Sequence, residues 1–366
     1  MKKCPVILYR KVKELGSLDG WSQYKDIDGY LEMTSAKVKT YKSNPYLENG
    51  TEDVVQVIAT LDDVVIGGQT PFALPIMVDG ERIVSCGATR LWVNPQYRKT
   101  GIALDIIEEA IKIPSGRVCV NAGLSFQARK IYAMMGYCVY PLAQFGYIRK
   151  ADSFVEHHFS KGVRGIVSLL VNLLFGVQRL FLQMLAYVKT RAFSIEVVPF
   201  EDENSLEAFS GMVAADRHRF RADIDSRWFK WVSANDFNDV TKADYCLYGI
   251  RRNGQLIGFF FTRRSSGGKE GRILEWQVAE PFVKSEGWLM LRIAALLCRN
   301  GVHHVTLSVP DGGAAASLFS SLRIRGFIPQ VVAVAPAEDS PLRSHKGYDD
   351  PVNWRLRPSM GDAAFY

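Results

Sequence analysis

The stretch Ala88-Thr89-Arg90-Leu91-Trp92-Val93-Asn94-Pro95-Gln96-Tyr97-Arg98-Lys99-Thr100-Gly101-Ile102-Ala103-Leu104-Asp105-Ile106-Ile107-Glu108-Glu109-Ala110 runs from a β-rich segment, through a proline and a short basic loop, into a segment of helical period. Ile102, Ile106, Ala110 and Ile113 share one helical face. Such a junction aims unpaired backbone N–H groups and the positive end of a helix dipole at one point, which makes a seat for a pyrophosphate. Gly101 lets the backbone approach a phosphate closely, Ala103 avoids crowding it, and Arg98 and Lys99 add positive charge.

Downstream, Val118 to Asn121 reads as a buried strand, and Ser125-Phe126-Gln127-Ala128-Arg129-Lys130-Ile131-Tyr132 as a helix ending near Gly136-Tyr137. Upstream, Val54 to Ala59 and Ile66-Gly67-Gly68 flank a turn at Asp62-Asp63. These landmarks recur with a period near 190 residues. Asn44-Pro45-Tyr46 is matched by Asn235-Asp236-Phe237. The hairpin is matched by Tyr245 to Ile250, Asn253-Gly254 and Ile257-Gly258-Phe259, and Gly136-Tyr137 by Gly326-Phe327. Asn-Gly between β-rich runs is a strong hairpin signal, and a glycine after each helix suits a left-handed C-terminal cap. The chain therefore reads as two copies of one α/β unit.

Arg98-x-x-Gly101-x-Ala103 after Val93-x-Pro95 resembles the cofactor loop of the GNAT acetyltransferase superfamily, and Ser125 to Tyr137 resembles that family's second cofactor segment. The resemblance implies an α/β (α+β) fold of two tandem GNAT-like domains, each a twisted mixed sheet flanked by helices. It implies acetyl-CoA or another acyl-CoA as cofactor, held by Trp92, Val93, Arg98, Lys99, Thr100, Gly101, Ile102, Ala103, Ser125 and Ala128. Tyr132 would be the general acid that reprotonates the departing CoA thiolate, a transfer that requires close approach. Ser125 stands where the family usually has an asparagine. The strand Val84 to Val93 carries no carboxylate or histidine, which leaves Asp79, Glu81 or a residue of the second domain as general base.

The expected division is residues 1–150 for the acyl-CoA domain, 151–193 for a linker and 194–366 for a second, degenerate domain. In that second half, Glu280-Pro281-Phe282-Val283-Lys284-Ser285-Glu286-Gly287-Trp288-Leu289 puts two carboxylates and bulky side chains where the phosphate seat should be. Counting back four residues from Gly326 gives Leu322, so the acid is lost too. Arg227-Trp228-Phe229-Lys230-Trp231 has two readings: an aromatic and cationic wall that binds substrate through Arg227, Trp228 and Trp231, or a helix packing its aromatics. Tyr348-Asp349-Asp350-Pro351, Asn353-Trp354-Arg355-Leu356 and Gly361-Asp362, with Lys42 to Tyr46, resemble tandem GNAT-like proteins of bacterial cell-surface polysaccharide pathways. That resemblance makes Trp354 a further substrate contact.

The linker holds an apolar segment, Gly165 to Leu185, in which Ser168, Asn172, Gly176, Arg179 and Gln183 occupy a polar sector roughly 80° wide. Arg179, Asn172, Gln178 and Gln183 argue against a spanning helix. Two covers remain for the rest of its surface: the two domains, or a membrane contacted peripherally through 165–185.

The net charge of +7 over 366 residues contains no run of five basic residues, and no nucleic acid is expected as a partner. Six scattered cysteines read as reduced core thiols, and the N-terminus lacks a signal-peptide pattern. A cytoplasmic protein is expected, at the inner membrane face if lipid covers the helix. His303-His304 point to opposite faces of a strand, so no metal is assigned. The expected activity is acyl transfer from acyl-CoA to an amine of a small molecule or sugar nucleotide. The alternatives are a FemX-like aminoacyl transferase and a non-catalytic module docked on a membrane synthase.

Overall fold

A computed structural model of the chain describes residues 4–16, 34–113, 118–122, 126–150, 161–235, 243–265, 267–336 and 341–360. In chain order the elements are β1 (Val6–Lys11), α1 (Ser35–Lys42), β2 (Val54–Leu61), β3 (Val64–Val78), β4 (Glu81–Val93), α2 (Ile102–Lys112), β5 (Val118–Ala122), α3 (Phe126–Met134), β6 (Cys138–Ile148) and α4 (Lys161–Thr190). There follow β7 (Ser194–Val198), α5 (Glu203–Ala214), β8 (Phe220–Ala222), α6 (Ser226–Ala234), β9 (Asp244–Arg252), β10 (Gln255–Arg264), β11 (Glu270–Val278), α7 (Glu286–Arg299), β12 (His304–Pro310), α8 (Ala314–Ser321), β13 (Arg325–Pro336) and β14 (Trp354–Arg355).

Two units result, and neither is a single run of sequence. The first comprises residues 1–141, 216–240 and 331–366, and the second 142–215 and 241–330. In the first unit the strand order is β1-β2-β3-β4-β5-β13. Pairing is antiparallel from β1 to β4, parallel between β4 and β5, and antiparallel between β5 and Val332–Pro336 of β13. The order in the second unit is β7-β9-β10-β11-β12-β6, with the same succession of senses and β12 antiparallel to Leu142–Ile148 of β6. The strand that follows α3 in sequence therefore completes the second sheet, and the strand that follows α8 completes the first. This exchange corrects the expected boundaries at 150 and 194. A cut there assumes that each half closes its own sheet, whereas the last sheet partner of each comes from the other half of the sequence.

The hairpins form where the turn residues require. Asp62 and Asp63 have φ of 53° and 60°, and Asn253 and Gly254 of 50° and 78°, the positive values of a tight hairpin turn. Ile102, Ile106, Ala110 and Ile113 pack against Val57, Ala59, Ile66 and Val93 to make the first unit's core. Gly67 permits this contact, because a Cβ there would lie 2.8 Å from Ile106 Cδ1 and 3.1 Å from the Trp92 carbonyl oxygen. In the second unit α7 covers the sheet with Leu289, Met290, Ile293 and Leu297 against Phe260 and Trp276, and Leu182 and Ala186 of α4 join that core.

Two further expectations are corrected, and one open alternative is narrowed. Gly136 caps α3 with φ of 80°, and the Tyr137 N–H donates to the Tyr132 carbonyl at 3.0 Å. After α8 the left-handed residue is Arg323, φ 53°, and the Ile324 N–H donates to the Phe319 carbonyl at 3.0 Å, while Gly326 lies inside β13. By this capping geometry the residue placed as Tyr132 is placed is Phe319, not Leu322, and it differs from a tyrosine only by the missing hydroxyl. Cys4 is exposed, so not every thiol is a core thiol. The apolar face of α4 is covered by neither unit's described residues: Leu169, Leu173, Leu174, Val177, Leu180 and Met184 are all exposed. The inward side holds the polar sector together with Leu182 and Ala186; Arg179 of that sector donates to the Arg149 carbonyl, and Gln178 beside it to that of Arg323. Periodicity marks two sectors on such a helix but not which one meets the protein.

Candidate functional site

The junction between β4 and α2, wholly within the first unit, is wound into consecutive turns. The Asn94 N–H donates to the Ile66 carbonyl, that of Tyr97 to Asn94, and that of Thr100 to Tyr97, with the Thr100 hydroxyl doubling the last bond at 2.7 Å. Asn94 Oδ1 accepts from the Gln96 N–H and caps the short turn at Pro95–Tyr97. Arg98 Nε donates to the Val93 carbonyl at 3.0 Å, so its aliphatic stem lies back over the end of the strand while its head stays exposed.

Gly101 then opens α2 in the left-handed region, φ 89°, with nothing within 4 Å of where a Cβ would stand. Among the described residues no side chain caps the helix, so the first-turn N–H groups face outward with the dipole behind them. Lys99, Thr100 and Gly101 are exposed, Ala103 is half-buried, and Val93 and Ile102 anchor the junction in the core.

A second feature sits on the strand leading into this loop. The register of β4 against β3 shifts between Gly68↔Trp92 and Thr70↔Thr89, so Arg90 and Leu91 both stand opposite Gln69. Arg90 has φ of 56°, a costly conformation for a residue with a Cβ, of the kind found at bulges beside functional sites. Gln69 is buried, and its Nε2 donates to the Tyr132 hydroxyl at 2.9 Å. Tyr132 and Ala128 pack with Ile107 of α2, so the bulge, the phenol and the helix start belong to one assembly. The Gln69 carbonyl oxygen has no protein partner among the described residues. β4 and β5 pair in register only at Cys86↔Cys119 among the described residues. Sequence reasoning missed Gln69 and the bulge, because a bulge is set by cross-strand register and has no local signature here.

An uncapped helix start, an open glycine seat, exposed cations and an orphan buried acceptor fit an extended anionic ligand with amide groups, as acyl-CoA is. Ser125 lies outside the described residues, as do Asp236, Phe237, Gly361 and Asp362. Among the described residues the second unit offers no equivalent seat. A Cβ on Gly287 would lie 2.8 Å from Leu318 Cδ2 and 3.5 Å from the Ala315 Cα, so that glycine serves the packing of α7 on α8.

Of the substrate residues expected in the second half, Trp228, Trp231 and Trp354 are corrected, whereas Arg227 is exposed. Residues 226–234 belong to the first unit, where Trp228 and Trp231 are buried and the Trp231 indole donates to the Thr40 carbonyl at 3.0 Å. The moment of α6 that reads as an aromatic wall is its core face. Arg227 pairs with Asp225 at 2.6 Å, and Asp225 accepts from the Tyr46 hydroxyl at 2.8 Å. Trp354 is buried too, stacked on Phe220 with its indole N–H on the Tyr348 carbonyl. Of the base candidates, Glu81 is exposed. Asp79 is committed elsewhere: hydrogen bonds from Arg219, outweighing some burial, and from His345 hold its carboxyl below the usual range.

The sequence matches no family model, and no curated protein matches it. Solved structures do match in shape. A GCN5-related N-acetyltransferase from Anabaena variabilis superposes with TM-score 0.51 at 15% identity, over 90% of this chain and 73% of that one. The N-myristoyltransferase of Saccharomyces cerevisiae with bound myristoyl-CoA gives 0.54 at 9% identity, over 93% and 86%. A probable N-acyltransferase from Enterococcus faecalis gives 0.53 at 11%, over 90% and 72%. The fold is that of the GNAT acyltransferases. Within that GNAT-like fold, the bulged β4, the loop from Asn94 to Thr100 and the start of α2 form the first unit's candidate cofactor seat.

Proposed function

We propose that this chain is an acyl-CoA-dependent N-acyltransferase whose cofactor site lies in the first unit alone. The observation that carries the proposal is the open, uncapped start of α2 behind a left-handed Gly101. Bound there, an acyl-CoA supplies an activated thioester. The N–H groups at Gly101, Ile102 and Ala103 hold its pyrophosphate, with Arg98, Lys99 and the Thr100 backbone around it and Trp92 and Val93 lining the way along β4. Tyr132 would give its proton to the sulfur as the C–S bond breaks, while the acceptor nitrogen bonds to the acyl carbon and releases its own proton to solvent water. Gln69 orients the phenol by donating to its oxygen, which directs the hydroxyl proton elsewhere.

The acceptor we propose is an amine on a small molecule or sugar nucleotide of envelope polysaccharide synthesis. The support for it is the resemblance of Lys42 to Tyr46 and the C-terminal segment to proteins of such pathways. We further propose that the two halves are copies of one ancestral unit, and that the protein works in the cytoplasm in peripheral contact with the inner membrane face through 165–185. The exposed apolar face of α4 supports that contact.

The test is CoA titration of Gly101→Val followed by calorimetry. A β-branched residue is strained at positive φ and fills the seat. Binding should fall at least ~100-fold, the order of two lost charge-assisted hydrogen bonds. Unchanged affinity in a folded variant would remove the cofactor from this site.

A further inference from the structure

One cavity lies away from the cofactor seat, within the second unit. It has a volume of about 300 Å³ and is lined by Arg149, Arg179, Gln183, Cys298 and Arg299. Three arginines line one small cavity, and their positive charges repel each other unless an anion joins them. Among the described residues no carboxylate lies within ion-pair distance of any of the three. Arg149 donates to the Cys298 carbonyl at 2.6 Å and Arg179 to the Arg149 carbonyl at 3.4 Å. Each bond uses one of five guanidinium donors, and both hold the side chains in place without neutralising them.

The cavity lies against α4, which supplies Arg179 and Gln183 to its lining. Gly165–Thr190, 26 residues, is long and apolar enough to cross a membrane by length and composition, yet it is held along the unit's surface. Leu182 and Ala186 are buried in the core, and Arg292 donates to the carbonyls of Thr190 and Phe193 at 2.8 Å. Its outward face is apolar, and the segment contains no Asp or Glu. Tyr187 marks one edge of that face. At 100° per residue Gln183 falls about 40° and Arg179 about 80° past it, so the cavity flanks the apolar face. A helix lying in a bilayer interface sinks its apolar face ~5–10 Å and leaves its flanks level with the lipid phosphates.

We propose that the cavity formed by Arg149, Arg179 and Arg299 beside the exposed apolar face of α4 binds the phosphate of an anionic phospholipid headgroup. The site rests on the membrane contact proposed above and adds lipid selectivity to it. Arginine suits the role because its planar fork grips phosphate oxygens in pairs and is weakly hydrated.

Vesicle flotation of the full chain tests this, with phosphatidylcholine alone and with phosphatidylglycerol added. Wild type should bind the anionic vesicles roughly tenfold or more better, and Arg179→Gln with Arg299→Gln should reduce that preference to near one, about one charge's worth per arginine removed. Leu173→Asp with Val177→Asp should abolish binding to both. Arg299→Gln alone, at the exposed end of α7, keeps the test valid if the double variant misfolds: it should lose part of the preference. If wild type floats with neither vesicle, the membrane contact itself fails. If the arginine variants keep the full preference, the contact stands and the headgroup site falls. If inorganic phosphate raises the melting temperature of wild type but not of the arginine variants, and no vesicle preference exists, the cavity serves a soluble phosphate and the lipid assignment is overturned.

Discussion

Tyr132 illustrates how a residue's chemistry depends on one neighbour. It is 1% exposed, in contact with Tyr137, and its oxygen accepts from Gln69. A buried tyrosine could serve packing alone, and the hydroxyl separates the roles. Tyr132→Phe keeps the ring and the contacts to Ile107 and Ala128, and leaves the Gln69 amide without its acceptor. If the phenol delivers the proton to sulfur, turnover should fall roughly 10- to 1000-fold with CoA affinity nearly unchanged. Stability should drop by ~1–3 kcal/mol from the unsatisfied amide. Loss of stability with unaltered turnover would assign Tyr132 to the core. The second unit supplies an internal comparison, since Phe319 occupies the equivalent cap position there, fully buried.

At the level of elements, local patterns were legible and partners were not. The turns at Asp62-Asp63 and Asn253-Gly254, the buried face of α2 and the loop from Arg98 to Ala103 follow from backbone rules acting within a few residues. The aromatics of α6 allow both a binding wall and a packed helix in the sequence, because nothing near them says that Tyr46, Phe72 and Thr40 will cover them. α4 went the other way, its apolar face left outside. That difference is measurable. Leu173 is 64% exposed, so Leu173→Asp should leave the melting temperature of the purified protein within the small range of ordinary surface substitutions, ~0.5 kcal/mol. A buried leucine at that position would instead cost several kcal/mol, and a large fall in melting temperature would show that the face is covered in solution.

At the scale of the molecule, the first unit assembles from three stretches of sequence, and carboxylates join them. Asp79 from the first stretch holds Arg219 of the second and His345 of the third. Tyr46 of the first donates to Asp225 of the second, and Asp216 of the second pairs with the buried Arg355 of the third at 3.2 Å. Burial alone would raise the Asp216 carboxyl, but the hydrogen bond from His218 and the charge of Arg355 hold it well below the usual range. Burial opposes the same effect at Asp225, where hydrogen bonds from Arg227 and Tyr46 prevail. A carboxyl whose folded pKa is depressed contributes stability that is present in full above its unfolded pKa of ~3.9 and is lost as pH falls through the folded value. Asp223 has the opposite sign, raised first by burial, and offsets a part. The first unit should therefore soften progressively below about pH 4 as Asp79, Asp216 and Asp225 protonate. Asp216→Asn removes the titration and breaks the buried ion pair with Arg355, so the variant should be less stable at pH 7 by ~3–5 kcal/mol and should lose less on acidification than wild type. Urea midpoints across pH 2.5 to 7 for both proteins would decide it: parallel curves would mean that the Asp216–Arg355 pair contributes nothing to holding the three stretches together.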